Sequence, residues 1–208
     1  MQALASRLEL ERHPVDAGAA CRSSFEIPRE ARVVLFFGLI RPYKGVNRLL
    51  EAFELLAKAE DLYLVIAGSA EPAMARALDT AIERSEAKAR IRLRPRFSTD
   101  PELAALIRMA DIVVFPHSHV YQSGALLLAM SFGKAIIASD IPGLREYLDD
   151  GVEGVLCDTS KPARLAREIL ALAREDARRE ALGAAAREVS LESYAWDGIA
   201  QQIAGMYR

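Results

Sequence analysis

From residue 32 onward, short unbroken apolar runs alternate with longer stretches in which apolar positions recur every three or four residues. Residues 33–37, Val33-Val-Leu-Phe-Phe37, are the first such run and stop at Gly38. A strand apolar on both faces must be covered on both faces, which predicts a buried strand of a parallel sheet. Residues 46–58 carry Leu49, Leu50, Phe53, Leu56 and Ala57 at helical spacing, so a helix packed on that sheet is expected. The cycle repeats with strands at 62–66, 91–93, 112–115, 135–138 and 154–157. Helices are expected at 72–87, from Asp100-Pro101-Glu102 onward, and at 124–132, 162–174, 176–189 and 193–207. The predicted fold class is therefore α/β, a doubly wound parallel Rossmann-like sheet with C-terminal helices.

Residues 1–31 stand outside this rhythm. They hold Pro14, Gly18 and Pro28 among small polar residues and read as a linker or interdomain remnant, with room for one short strand at 8–14. No internal repeat is visible.

Composition narrows the functional classes. The chain has 208 residues, 51% hydrophobic and 27% charged, with 27 Lys+Arg against 29 Asp+Glu and a net charge of -2. That balance gives no global footprint for nucleic acid or for an anionic membrane, so anion binding must be local and membrane association at most peripheral. The two cysteines, Cys21 and Cys157, cannot build a disulfide framework or a multi-cysteine metal site, which fits a reducing, cytoplasmic setting. No apolar run approaches the roughly 20 residues of a bilayer span, and the N-terminus does not read as a signal peptide.

In open α/β sheets, ligands bind beyond the carboxyl ends of the strands, so the loops there carry the candidate chemistry. Phe37-Gly-Leu-Ile-Arg-Pro-Tyr-Lys-Gly45 offers Gly38 for close backbone approach and two cations, Arg41 and Lys44, near a helix N-terminus. A solvated turn with surface cations explains the same residues. Gly68 marks a turn after the second strand. Arg96 and Phe97 follow the third; they suit a nucleobase, or else an exposed arginine and a core phenylalanine. Pro116-His-Ser-His-Val-Tyr-Gln-Ser-Gly124 ends with Gln122, Ser123 and Gly124 at a helix N-terminus, where Ser123 serves as a cap, a diphosphate ligand or both. His117 and His119 lack an acidic or thiol companion in their loop, so no metal site is expected. No nucleophile and base pair is evident, and no catalytic residue is assigned.

As a set, Phe37 to Gly45, Ile66-Ala-Gly68, Ala110-Asp-Ile-Val-Val-Phe-Pro116, Leu128-Ala-Met-Ser-Phe-Gly-Lys-Ala-Ile-Ile-Ala138 and Gly143-Leu-Arg-Glu146 resemble the C-terminal donor-binding domain of GT-B glycosyltransferases of family 4 (glycosyl transferases group 1). The resemblance implies a Rossmann-like domain at 32–190 that binds a nucleotide-diphosphate sugar, followed at 191–208 by a helix crossing back onto an N-terminal acceptor domain. It also implies a retaining sugar transfer to an acceptor, with no catalytic metal. Lys44 matches the lysine that contacts the donor diphosphate.

Two departures follow. The family arginine directly after the glycine is Leu39 here, leaving Arg41 as a substitute, and the paired family glutamates fall at Val120 and Leu128. Valine and leucine cannot make the hydrogen bonds of carboxylates, although Gln122 and Ser123 can take over some contacts. The chain also lacks residues matching the N-terminal domain. The expected partners are thus a nucleotide sugar and an N-terminal domain or partner chain, with self-association through the C-terminal helix a further option. Trp196, Ile199, Ile203 and Tyr207 are its expected contact residues. The alternative is a non-catalytic sugar-nucleotide-binding or interaction module.

Overall fold

The computed structural model describes residues 17–59 and 61–193. Its centre is a six-stranded parallel sheet of β1 (Arg32–Phe37), β2 (Leu62–Ala67), β3 (Ile91–Arg94), β4 (Ile112–Phe115), β5 (Ala135–Ser139) and β6 (Val155–Cys157). The spatial order is β3-β2-β1-β4-β5-β6. The helices are α1 (Ala17–Ser24), α2 (Val46–Glu54), α3 (Pro72–Glu83), α4 (Asp100–Met109), α5 (Gly124–Ser131), α6 (Pro142–Arg145), α7 (Pro162–Arg174) and α8 (Asp176–Ser193).

Strand periodicity splits the core in two. Val34, Phe36, Leu64, Ile66, Ile112 and Val114 face Leu49 and Phe53 of α2, Leu78 of α3, and Leu165 and Ile169 of α7. Val33, Leu35, Phe37, Val65, Val113 and Phe115 face Leu106 and Ile107 of α4 and Leu126 and Met130 of α5. Both faces are therefore covered, as the continuous apolar runs require. β1 pairs with β2 from Arg32↔Leu62 to Phe37↔Ala67, but with β4 only at Val34↔Ile112 and Leu35↔Val113. The chain winds in opposite directions from β1 and from β4, so a crevice opens between the loops that follow these two strands.

The segment expected to be a linker departs from that expectation. Ala17–Ser24 is a helix packed on α4, with Gly18 against the backbone of Arg108 and Met109. Arg22 donates to the Met109 carbonyl at 3.0 Å and to Asp111 Oδ2 at 3.3 Å, which ties this helix to the start of β4. Its small residues make a close-packing surface and a weak periodic pattern. Helix ends shift too: α2 stops at Glu54 and α3 at Glu83, short of the expected ends, α8 continues to Ser193, and α6 was not foreseen. The expected strand at 8–14 and the contact residues Trp196, Ile199, Ile203 and Tyr207 lie outside the described residues.

Candidate functional site

The crevice is built by backbone contacts between loops. Gly38 and Gly68 adopt φ of 108° and 146°, conformations that favour glycine, and a Cβ on Gly68 would overlap the Gly38 carbonyl. A parallel bridge from Ile40 to Ala70 continues this seam. Gly68 is thus accounted for by the approach of two loops. Gly38 is more open, and a Cβ there would lie 3.7 Å from Lys44 Nζ.

Lys44 ends a 3₁₀ turn, Pro42–Lys44, which suits a proline at its start and closes on Gly45 at φ 71°. A Cβ on Gly45 would overlap the Pro116 carbonyl of the β4 loop. On the other side of Lys44, the Tyr43 carbonyl accepts from Ser118 N at 2.7 Å. Lys44 is therefore fixed by two neighbours that are each clamped to the β4 loop. It is half-buried, burial pushes its pKa down, and it has no carboxylate partner among the described residues.

The loop after β4 carries His117 beneath the same clamp. Its ring is buried, edge-on to Phe115 (5.7 Å between centroids) and to Tyr43 (6.3 Å), and its Nδ1 has no hydrogen-bond partner among the described residues. Burial, followed by the charges of Lys44 and His119, lowers its pKa to about 4. His119 stacks at a tilt on Tyr43, 5.0 Å away, with Nδ1 3.0 Å from Ser118 Oγ. No group of three or more His, Cys, Asp or Glu side chains gathers as a metal-ligand set among the described residues.

Ser123 caps α5: its Oγ accepts from Leu126 N at 3.2 Å. Gly124, the first helical residue, is exposed, and a Cβ there would meet nothing within 4 Å. This helix N-terminus is thus open to an approaching group and bears the positive end of the helix dipole. Gln122 and Tyr121 beside it are exposed, Tyr121 to 90%.

Two of the expected cations are engaged elsewhere. Arg41 pairs with Glu71 at the start of α3. Arg96 donates to Glu102 Oε1 at 2.7 Å, and Arg94 binds the same carboxylate. Arg96, Thr99 N and Arg94 together hold the Glu102 carboxyl down at about 2. Phe97 is 72% exposed, which removes the core reading of that residue. Arg96 and Phe97 follow β3, three strand spacings or about 14 Å from β4. Val120 turns its carbonyl onto Gly143 of α6, and Leu128 is buried in the core. The structure thus brings Gly38, Lys44 and the β4 loop together, with Gly124 open at the end of that loop. Arg41, Arg96 and Phe97 stand apart. His117 is the residue at this crevice that sequence reasoning weighed only as a metal ligand; its position after a buried strand was the available signal of burial.

The pattern of the family described as "Glycosyl transferases group 1" matches residues 20–189. The D-inositol 3-phosphate glycosyltransferase of Xylanimonas cellulosilytica is 31% identical over 197 residues, covering 93% of this chain and 46% of that protein. The phosphatidyl-myo-inositol mannosyltransferase of Mycobacterium leprae is 32% identical over 183 residues, 86% of this chain and 47% of that protein. The chain spans about half the length of the curated relatives it matches. Among solved structures, Anabaena HepE in complex with UDP and glucose superposes with a TM-score of 0.82 at 22% identity, over 94% of this chain and 52% of that one. The C-terminal domain of the Francisella tularensis group 1 glycosyl transferase LpcC gives 0.74 at 21% identity, over 86% of this chain and 93% of that one. Both are similar in fold. With most of its length matched by the family pattern, the chain belongs to the glycosyl transferases group 1 family and corresponds to the C-terminal, Rossmann-like domain of its GT-B members.

Proposed function

We propose that the chain is the donor-binding half of a retaining glycosyltransferase, holding a nucleotide-diphosphate sugar for transfer to an acceptor supplied by an N-terminal domain or partner chain. The observation that carries this reading is Lys44, a half-buried cation without a carboxylate partner among the described residues, clamped at the crevice where β1 and β4 diverge. A cation fixed there meets a diphosphate with little reorganisation, and the open N-terminus of α5 at Gly124 adds backbone N–H groups and a dipole of the same sign. As the glycosidic bond lengthens, negative charge grows on the departing diphosphate, and these groups stabilise it where it forms. The scheme assigns no step to a metal. Gly38 gives the backbone room beside Lys44, while Gln122 and Ser123 offer amide and hydroxyl contacts. Arg96 and Phe97 are placed by this reading at the nucleobase end, and Arg41 enters it only by leaving Glu71.

The proposed setting is cytoplasmic. Both cysteines are free and buried, and no described helix is long and apolar enough to cross a membrane.

Calorimetry with UDP-, GDP- and ADP-sugars tests the donor site. One of them binds the wild-type chain, and Lys44→Ala weakens that binding at least about tenfold, the worth of one charge-assisted contact. Equal affinity in the two proteins sinks the assignment. A second reading, a sugar-nucleotide-binding module without turnover, is favoured by Val120 and Leu128, which stand where the family glutamates fall. Donor binding with no transfer when an N-terminal partner and acceptor are added selects that reading.

A further inference from the structure

Within the electrostatic reach of Lys44 lies a group that the donor scheme does not use. The His117 imidazole is 1% exposed, wedged edge-on between Phe115 and Tyr43, and its Nδ1 has no hydrogen-bond partner among the described residues. A buried polar atom left without a partner is uncommon in folded proteins and costs stability, which points to a use for it in another state of the site. The groups around it act in one direction. Lys44 on the 3₁₀ turn and His119 on its own loop both disfavour an imidazolium, Tyr43 and Phe115 present ring edges, and no carboxylate of the described residues is among the charges acting on it. Burial is the first cause of its neutral state, and the Lys44 cation is the next, the one that a ligand can change. An anion docked on that cation reverses the sign of the field, because a sugar-nucleotide diphosphate carries two ionised phosphates against one ammonium.

We propose that His117 is a positioning residue for the diphosphate: docking of a nucleotide-diphosphate sugar beside Lys44 draws a proton from the buffer onto the His117 imidazole, whose new positive charge strengthens the site. This rests on the donor reading of the crevice. The balance is simple: a buffer acid gives up the proton, neutral imidazole becomes imidazolium, and the proton returns to the buffer when the diphosphate leaves. Donor affinity then rises as pH falls from about 7 to 5.5, because the empty site stays neutral across that range while the occupied one takes up a proton.

The test is calorimetry of the 208-residue chain with the sugar nucleotide that binds it, at pH 6.0, in buffers of different ionisation enthalpy. A sugar nucleotide is the right probe because its diphosphate has no group titrating between about pH 5 and 8, whereas a terminal phosphate does. Uptake of a sizeable fraction of a proton is expected, growing toward pH 5.5. His117→Leu abolishes the uptake and flattens the pH dependence of affinity, and His119→Ala keeps both. Buffer-independent heats in the wild type, or full uptake by His117→Leu, overturn the proposal. Should His117→Leu fail to fold, the histidine ring resonances of the wild-type chain give the same reading. A His117 ring that turns to imidazolium on adding the sugar nucleotide supports the proposal, and one that stays neutral overturns it. Failure of every sugar nucleotide to bind overturns both this proposal and the donor reading, whereas binding without proton uptake overturns only this one.

Discussion

Mild acid should weaken this fold through one side chain. Burial, which disfavours the charged imidazole, holds the pKa of His117 down at about 4 in the folded chain, against the ordinary 6.5 of a histidine. Between those two values the unfolded chain binds a proton that the folded chain does not, so stability rises with pH across that window and is lost as pH falls through it. Going from pH 7 to pH 5 descends about one and a half units below the unfolded value while staying above the folded one. At about 1.4 kcal/mol per unit the loss is roughly 2 kcal/mol. The carboxylates do not obscure this. Glu102, Asp140, Asp158 and Asp176 all have lowered values, so the stability they supply is intact above their ordinary range near 4 and is lost only below it. The assay is urea unfolding followed by circular dichroism at pH 7.0, 6.0 and 5.0, for wild type and His117→Leu. With a urea dependence of about 2 kcal/mol/M, the wild-type midpoint drops by about 1 M more than that of the variant. Replacing a partnerless polar group by an apolar one of similar size should also leave the variant near wild-type stability at pH 7. Equal losses in the two proteins from pH 7 to 5 would refute the reasoning.

Three further outcomes follow from the same geometry. Gly45→Ala forces a Cβ into the Pro116 carbonyl at a positive φ, so thermal melts should register a loss on the order of 3 kcal/mol, well beyond the strain of the left-handed conformation alone. Arg90 is buried and donates to the carbonyls of Leu56, Ala57, Ala59 and Leu62, closing the chain between α2 and β2; Arg90→Met orphans those acceptors and should cost about 3 kcal/mol in urea titrations. Ser123→Ala removes the α5 cap and should lower stability by about 1 kcal/mol, with any larger loss of sugar-nucleotide affinity in calorimetry separating a ligand contact from a cap.

The strands were the most readable part of the sequence, and for a physical reason. A central strand of a parallel sheet must be apolar on both faces, so Val33-Val-Leu-Phe-Phe37 and Ile112-Val-Val-Phe115 announce themselves without knowledge of their neighbours. The position of Lys44 was legible as well, because a loop following such a strand can only emerge at the carboxyl edge. What long-range contacts decide was not. Arg41 meets Glu71 across two loops, and nothing local distinguishes it from a cation free to bind phosphate. Phe97 looks apolar enough for a core, yet the chain leaves the sheet at Pro95 and carries it into solvent. Ala17–Ser24 is too short and too small in its side chains to display a period, and only Arg22, reaching the end of α4, reveals that it belongs to the domain.

The glycine contacts that join the loops have a consequence for the energetics of ligand capture. Where Gly68 meets Gly38 and Gly45 meets Pro116, main chain rests on main chain, with no rotamers to settle and no side chain to displace. Binding at most loop-built sites carries an entropic penalty for ordering those loops, which here has already been met during folding. An anion arriving at Lys44 therefore encounters a surface closer to a crystal face than to a hinge. Selectivity among anions at this end of the crevice should come from shape that does not yield, and adaptability from the exposed side chains of Gln122, Tyr121 and Phe97 farther along the edge.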